Sequence, residues 1–85
     1  MTERVRAWEI SDGVIFVAIR PPLEKEKLEE IQTTILEYVK EIERFALAGK
    51  IGQRKGISYF RITTPHPWLG FKKAVEIGLE KALKN

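Results

Sequence analysis

The residues Val14-Ile15-Phe16-Val17-Ala18-Ile19 form an unbroken apolar run that has few placements open to it in a folded chain. Val and Ile hold four of its six positions, and their branched side chains suit a pleated strand better than a helix. The run is far shorter than the roughly 18 apolar residues that cross a bilayer. Successive side chains on a strand point to opposite faces, and this run is apolar on both of them. That places the run in the middle of a sheet. Upstream, Val5, Ala7 and Trp8 alternate with Arg4, Arg6 and Glu9, and Ser11-Asp12-Gly13 supplies turn residues, so the two runs read as a β-hairpin.

Arg20-Pro21-Pro22 stops the second strand, and Pro22 suits a first helical position, with Glu24 and Glu26 favouring the positive helix start. Leu28, Ile31, Ile35, Tyr38/Val39, Ile42 and Phe45/Ala46 then recur at helical spacing up to Gly49. The spacing predicts a helix over 23–48, about 39 Å long at 1.5 Å per residue. A compact domain of this size has a radius of gyration of about 12 Å, so such a helix would overhang its own domain. Leu36, Tyr38 and Leu47 are then expected to form a dimer or partner interface. The alternative is that the helix ends near Arg44 and Leu47 begins a short strand.

Ile57–Thr63 reads as a third strand, with Phe60 in the core and Tyr59 and Arg61 facing solvent. Thr64-Pro65-His66-Pro67 ends it, and a last helix is expected from Pro67 or Trp68 to Leu83, burying Trp68, Phe71, Val75, Leu79 and Ala82. The predicted fold is α+β, one domain over 1–85. It is a small antiparallel three-stranded sheet in the order β-β-α-β-α with two helices on one face. An extra short strand at 46–51, paired with 57–62, is the alternative order.

Charge is unevenly distributed. Residues 1–48 carry 7 Lys and Arg against 10 Asp and Glu, while residues 49–85 carry 8 against 2, giving nets of −3 and +6. This asymmetry points to an anionic partner, nucleic acid first. Lys50, Arg54 and Lys55 stand among Gly49, Gly52 and Gly56, a loop whose backbone is free to approach phosphate, and Tyr59 and Arg61 follow with stacking and charge. Lys72 and Lys73 lie at the start of the last helix, where an anion is favoured, and Arg61 and His66 are expected to converge on them. The candidate phosphate- or nucleic-acid-binding set is therefore Lys50, Arg54, Lys55, Tyr59, Arg61, His66, Lys72 and Lys73.

The chain has no cysteine and one histidine, which removes disulfides, thiol nucleophiles and thiolate zinc sites. No activating partner for a serine or threonine is recognisable, so no catalytic residue, cofactor or metal is expected. The glutamates of the first helix read as a solvated surface. Glu3, Arg4, Arg6, Glu9 and Asp12 near the start are unlike a signal peptide, and a cytoplasmic protein with no membrane partner is expected. Glu, Lys and Arg account for 26 of the 27 charged residues, a composition found in heat-adapted proteins.

Lys55-Gly56-Ile57-Ser58-Tyr59-Phe60-Arg61-Ile62 resembles in part the longer consensus of RNA-recognition-motif domains, and Ile15-Phe16-Val17 resembles the shorter one. Lys55, Gly56 and Tyr59 fit, but Ile57 and Ile62 stand where that family prefers aromatics. A final strand is missing too, so the likeness extends to the physics of base stacking and not to membership. With 46–51 paired to 57–62, the element order from residue 14 is similar to the small dimerising subunit of the KEOPS tRNA-modifying complex. Two functions are thus expected: an RNA-binding module, or an accessory, homodimerising subunit of a larger complex.

Overall fold

A computed structural model describes residues 4–84 as five strands and two helices. In chain order these are β1 (Arg4–Ser11), β2 (Val14–Arg20), α1 (Lys25–Glu41), β3 (Leu47–Ala48), β4 (Gly52–Arg54), β5 (Ile57–Thr63) and α2 (Phe71–Leu83). The class is α+β and every strand pairing is antiparallel. β1 pairs with β2, β2 with β5, and both β3 and β4 line the far side of β5. The apolar run of β2 is therefore central, as its composition demands. The sheet has five strands where three were expected, because the 46–54 segment forms a split edge.

One face of the sheet is buried. Ile15, Val17 and Ile19 of β2 and Phe60 and Ile62 of β5 share a core with Leu28, Ile31 and Ile35 of α1 and Phe71, Val75 and Leu79 of α2. The two helices also pack on each other, and Gly78 makes their approach close. A Cβ at that position would lie 3.0 Å from the Cα of Ile35. Phe60 is fully buried and Arg61 exposed, as the alternation of β5 predicts.

Helix α1 corrects the expectation of a helix over 23–48. Its 17 residues extend about 25 Å at 1.5 Å per residue, and they fit within a molecule whose longest dimension is 34 Å. No overhang exists. The helix closes with the Glu43 N–H donating to the Lys40 carbonyl and the Arg44 N–H to the Val39 carbonyl, while Glu43 takes a left-handed φ of 59°. This pairing satisfies the last carbonyls in the manner usually served by glycine. Because a glutamate holds that position, Ile42, Phe45 and Ala46 continue the helical spacing past the true end. Helix α2 likewise starts later than expected, at Phe71, with Gly70 at φ 94° before it. Trp68 lies outside the helix, half-buried and edge-on to the Phe71 ring at 5.0 Å.

The split edge is held from below. Between β3 and β4, Ile51 turns in to pack against the core. Ladder pairing is interrupted there, although the Gly49 N–H still donates to the Arg61 carbonyl at 2.8 Å. The buried side chain of Gln32 on α1 fills the gap: its Nε2 donates to the carbonyls of Gly49 at 3.0 Å and Arg61 at 3.1 Å. Ser58, also buried, accepts from the Leu23 N–H at 2.8 Å and so fixes the approach to α1. Replacing Gln32 with leucine keeps the volume but strips a donor from two carbonyls. We expect Gln32→Leu to lower the unfolding free energy by about 1–3 kcal/mol in urea titration; unchanged stability would show that the brace carries no load.

Candidate nucleic-acid interface

The period of two that buries one side of the sheet presents the other to solvent. Three rows of side chains cross this open face, each fixed by strand register. Trp8 stands opposite Phe16, Phe16 opposite Arg61, and the Gly49 N–H meets Arg61. In the next row Arg6 faces Ala18, Ala18 faces Tyr59, and Tyr59 faces Gly52. In the third, Arg4 faces Arg20 and Ile57 faces Arg54. The face thus gathers five of the six arginines of the chain around three aromatic rings. No aspartate or glutamate occupies an open-face position of the five strands among the described residues.

The rings adjoin one another. Trp8 and Phe16 have centroids 5.0 Å apart at an interplanar angle of 46°, and Phe16 stacks on Tyr59 at 5.4 Å and 17°. Arg6 lies over the Trp8 ring at 5.5 Å, within the reach of a cation–π contact. Two glycines shape the platform. A Cβ at Gly52 would come within 2.5 Å of the Tyr59 hydroxyl oxygen, and one at Gly49 within 2.7 Å of the Arg61 Cβ. Their lack of side chains lets Tyr59 and Arg61 lie across the edge strands. Trp8 is 37% exposed, and Phe16 and Tyr59 are half-buried.

The residues expected to bind phosphate are divided by this geometry. Arg54, Tyr59 and Arg61 share the open face. Lys55 forms the β4–β5 turn with Gly56, both at positive φ (51° and 77°), the backbone of a two-residue hairpin turn. The glycines at 49, 52 and 56 therefore serve the close approach of Arg61, the packing of the Tyr59 ring and a tight turn, and the segment is a split edge instead of a phosphate-cradling loop. Lys50 is exposed between β3 and β4. The expected convergence of Arg61, His66, Lys72 and Lys73 does not form: α2 packs on the buried face, whereas Arg61 projects from the opposite one. His66 is exposed beyond the end of β5, with its backbone N–H donating to the Thr64 hydroxyl at 3.3 Å. Lys72 shares a surface hollow with Glu9 and Asp12, whose carboxylates oppose an anion at that helix start.

The expected interface residues are also separated. Leu36 is half-buried and packs against the core, Tyr38 lies under the Lys81 ammonium at 5.5 Å, and Leu47 is exposed on β3. Sequence reasoning left Arg4, Arg6, Trp8, Phe16 and Arg20 out of the candidate site. The signal was present in the shared parity of Arg4, Arg6 and Trp8, and in their pairing across a hairpin with Phe16 and Arg20. Among the described residues, no helix is long and apolar enough to cross a membrane. Comparison of the chain with protein-family models, curated proteins and solved structures finds no match.

Proposed function

We propose that this protein binds single-stranded nucleic acid, RNA in the first place, on the open face of its sheet, as a binding module and not as an enzyme. The observation that carries the reading is the joined Trp8–Phe16–Tyr59 strip set among Arg4, Arg6, Arg20, Arg54 and Arg61. Aromatic faces stack on any base, and guanidinium groups pair with phosphates bidentately and lie flat on rings. Unpaired strands are the form in which RNA offers splayed bases to such surfaces. Charge supports the same choice, since the glutamates of α1 lie behind the sheet and leave the open face cationic.

Binding is expected to weaken with salt. With all five arginines on phosphates, the slope of log affinity against log salt is about −3.5, at roughly −0.7 per phosphate on a single strand. Arg61→Glu should flatten that slope. Tyr59→Ala should cost roughly 1–3 kcal/mol of binding, the range for one stacked base. Gly52→Ala should reproduce that loss, because its Cβ displaces the Tyr59 ring from Phe16. Fluorescence anisotropy with mixed-sequence RNA and DNA oligonucleotides checks all three, and undiminished binding by both Tyr59→Ala and Arg61→Glu would refute the reading.

A second reading rests on a different surface. Phe45, 58% exposed just past the end of α1, lines a surface hollow together with Leu36, and Ile42, 39% exposed, precedes it in the chain. Large apolar residues exposed together mark association surfaces, which supports an accessory or homodimerising subunit. Light scattering tests this. Dimers that Phe45→Glu converts to monomers would support it, and a monomer at every concentration would remove it.

A further inference from the structure

We infer that the corner of the open face formed by Arg4, Arg6 and Arg20 binds a phosphate monoester carried on an aromatic base, namely the phosphorylated end of a nucleic-acid strand. The inference rests on the open-face reading and assigns one end of the track.

The register sets Arg4 directly opposite Arg20, with Arg6 on the diagonal one pair along. Like charges at directly opposed positions of paired strands destabilise the pair, so the native sequence holds an unfavourable arrangement that an anion would reverse. These three arginines surround a hollow of about 290 Å³ whose other lining residues are Trp8, Ala18, Ile19 and Ile57. Among the described residues, no carboxylate lines it. That volume stands at the lower end of ligand sites, about 300–1,000 Å³, and suits a single nucleotide better than a longer segment. Ala18 explains the depression. It lies between Arg6 and Tyr59 in its row, where every neighbouring side chain is longer.

The remaining wall supplies the base contact. Trp8 closes the hollow toward the centre of the sheet and touches Phe16, so a base laid on its indole continues the same stack. Position and charge distinguish an end from an internal link. The hollow lies where β5 begins and β2 finishes, so the row of rings leads up to it from one side. A phosphodiester carries one negative charge, whereas a phosphate monoester carries about −1.5 to −2 and three acceptor oxygens. Three forked donors match the second group.

The test compares short single strands of one sequence bearing a 5′-phosphate, a 3′-phosphate or only hydroxyl ends, alongside inorganic phosphate and free nucleoside monophosphates. Anisotropy with an internal dye gives affinities, and thermal unfolding reports the small ligands. One phosphorylated end is expected to bind about tenfold tighter than the hydroxyl strand, the effect of a charged hydrogen-bonded partner; whichever end gains sets the strand polarity. Arg20→Gln should erase that gain: whatever the lost cation costs the hydroxyl strand, phosphorylated and hydroxyl strands should then bind the variant equally. Equal affinity for phosphorylated and hydroxyl strands overturns the pocket and leaves the open-face reading standing. Stabilisation by nucleoside monophosphate, lost in Arg20→Gln, with no strand bound, would overturn the strand end as occupant together with the open-face reading and leave only a site for a free nucleotide. No response to any probe overturns both.

Discussion

The antiparallel pairing of β2 with β5 is the constraint on which the rest depends. It aligns Ile15, Val17 and Ile19 with Ile62, Phe60 and Ser58 on the side beneath the helices. The same register necessarily aligns Phe16 and Ala18 with Arg61 and Tyr59 on the other side. Since the side-chain period is two, a slip of one residue would bury an arginine and expose the core. The hydrophobic effect therefore fixes the site indirectly: burying the core positions of these strands holds the aromatic and arginine positions at the surface. Gln32 and Ser58 extend that control, the first tying α1 to the carbonyls of Gly49 and Arg61, the second tying β5 to the chain entering α1.

Charge is sorted by face and not by position along the chain. Three of the five open-face arginines come from residues 4–20, in the half that carries net negative charge. Lys72, Lys73 and Lys81 of the basic half lie on α2, behind the sheet. Arginine and lysine are separated as well. Five of the six guanidinium groups, which stack on rings and grip phosphate in pairs, occupy the sheet face, while the strongly hydrated ammonium groups are left to the helices, loops and turns. A tally along the sequence cannot see this, because pairing strands brings Arg4 to Arg20 and Phe16 to Arg61.

Much of the fold was legible in the residues. The branched run of β2 specified a central strand but not its buried side, the alternation of β5 and the apolar stripe of α1 each specified an element and its buried side, and the pairing of Tyr59 with Arg61 at the surface followed from parity alone. The errors fell where a residue took an unusual role. Glu43 ends α1 in a conformation glycine normally serves, so the spacing of Ile42 and Phe45 extended the predicted helix too far. Lys55 does the same in the β4–β5 turn and hid a hairpin behind what read as a basic loop. The site was half legible. Trp8 and Phe16 look like core from composition, and only the strand register shows that they lie on the uncovered side.

The central claim is that nucleic acid lies on the uncovered side of the sheet. Backbone and side-chain NMR shifts of the labelled protein, followed during titration with single-stranded RNA, test it most directly. The account predicts that shift changes concentrate at Trp8, Phe16, Ala18, Tyr59 and Arg61, with α1 and α2 nearly silent. Changes concentrated at Lys72, Lys73 and the rest of α2, with the sheet resonances unmoved, would contradict it.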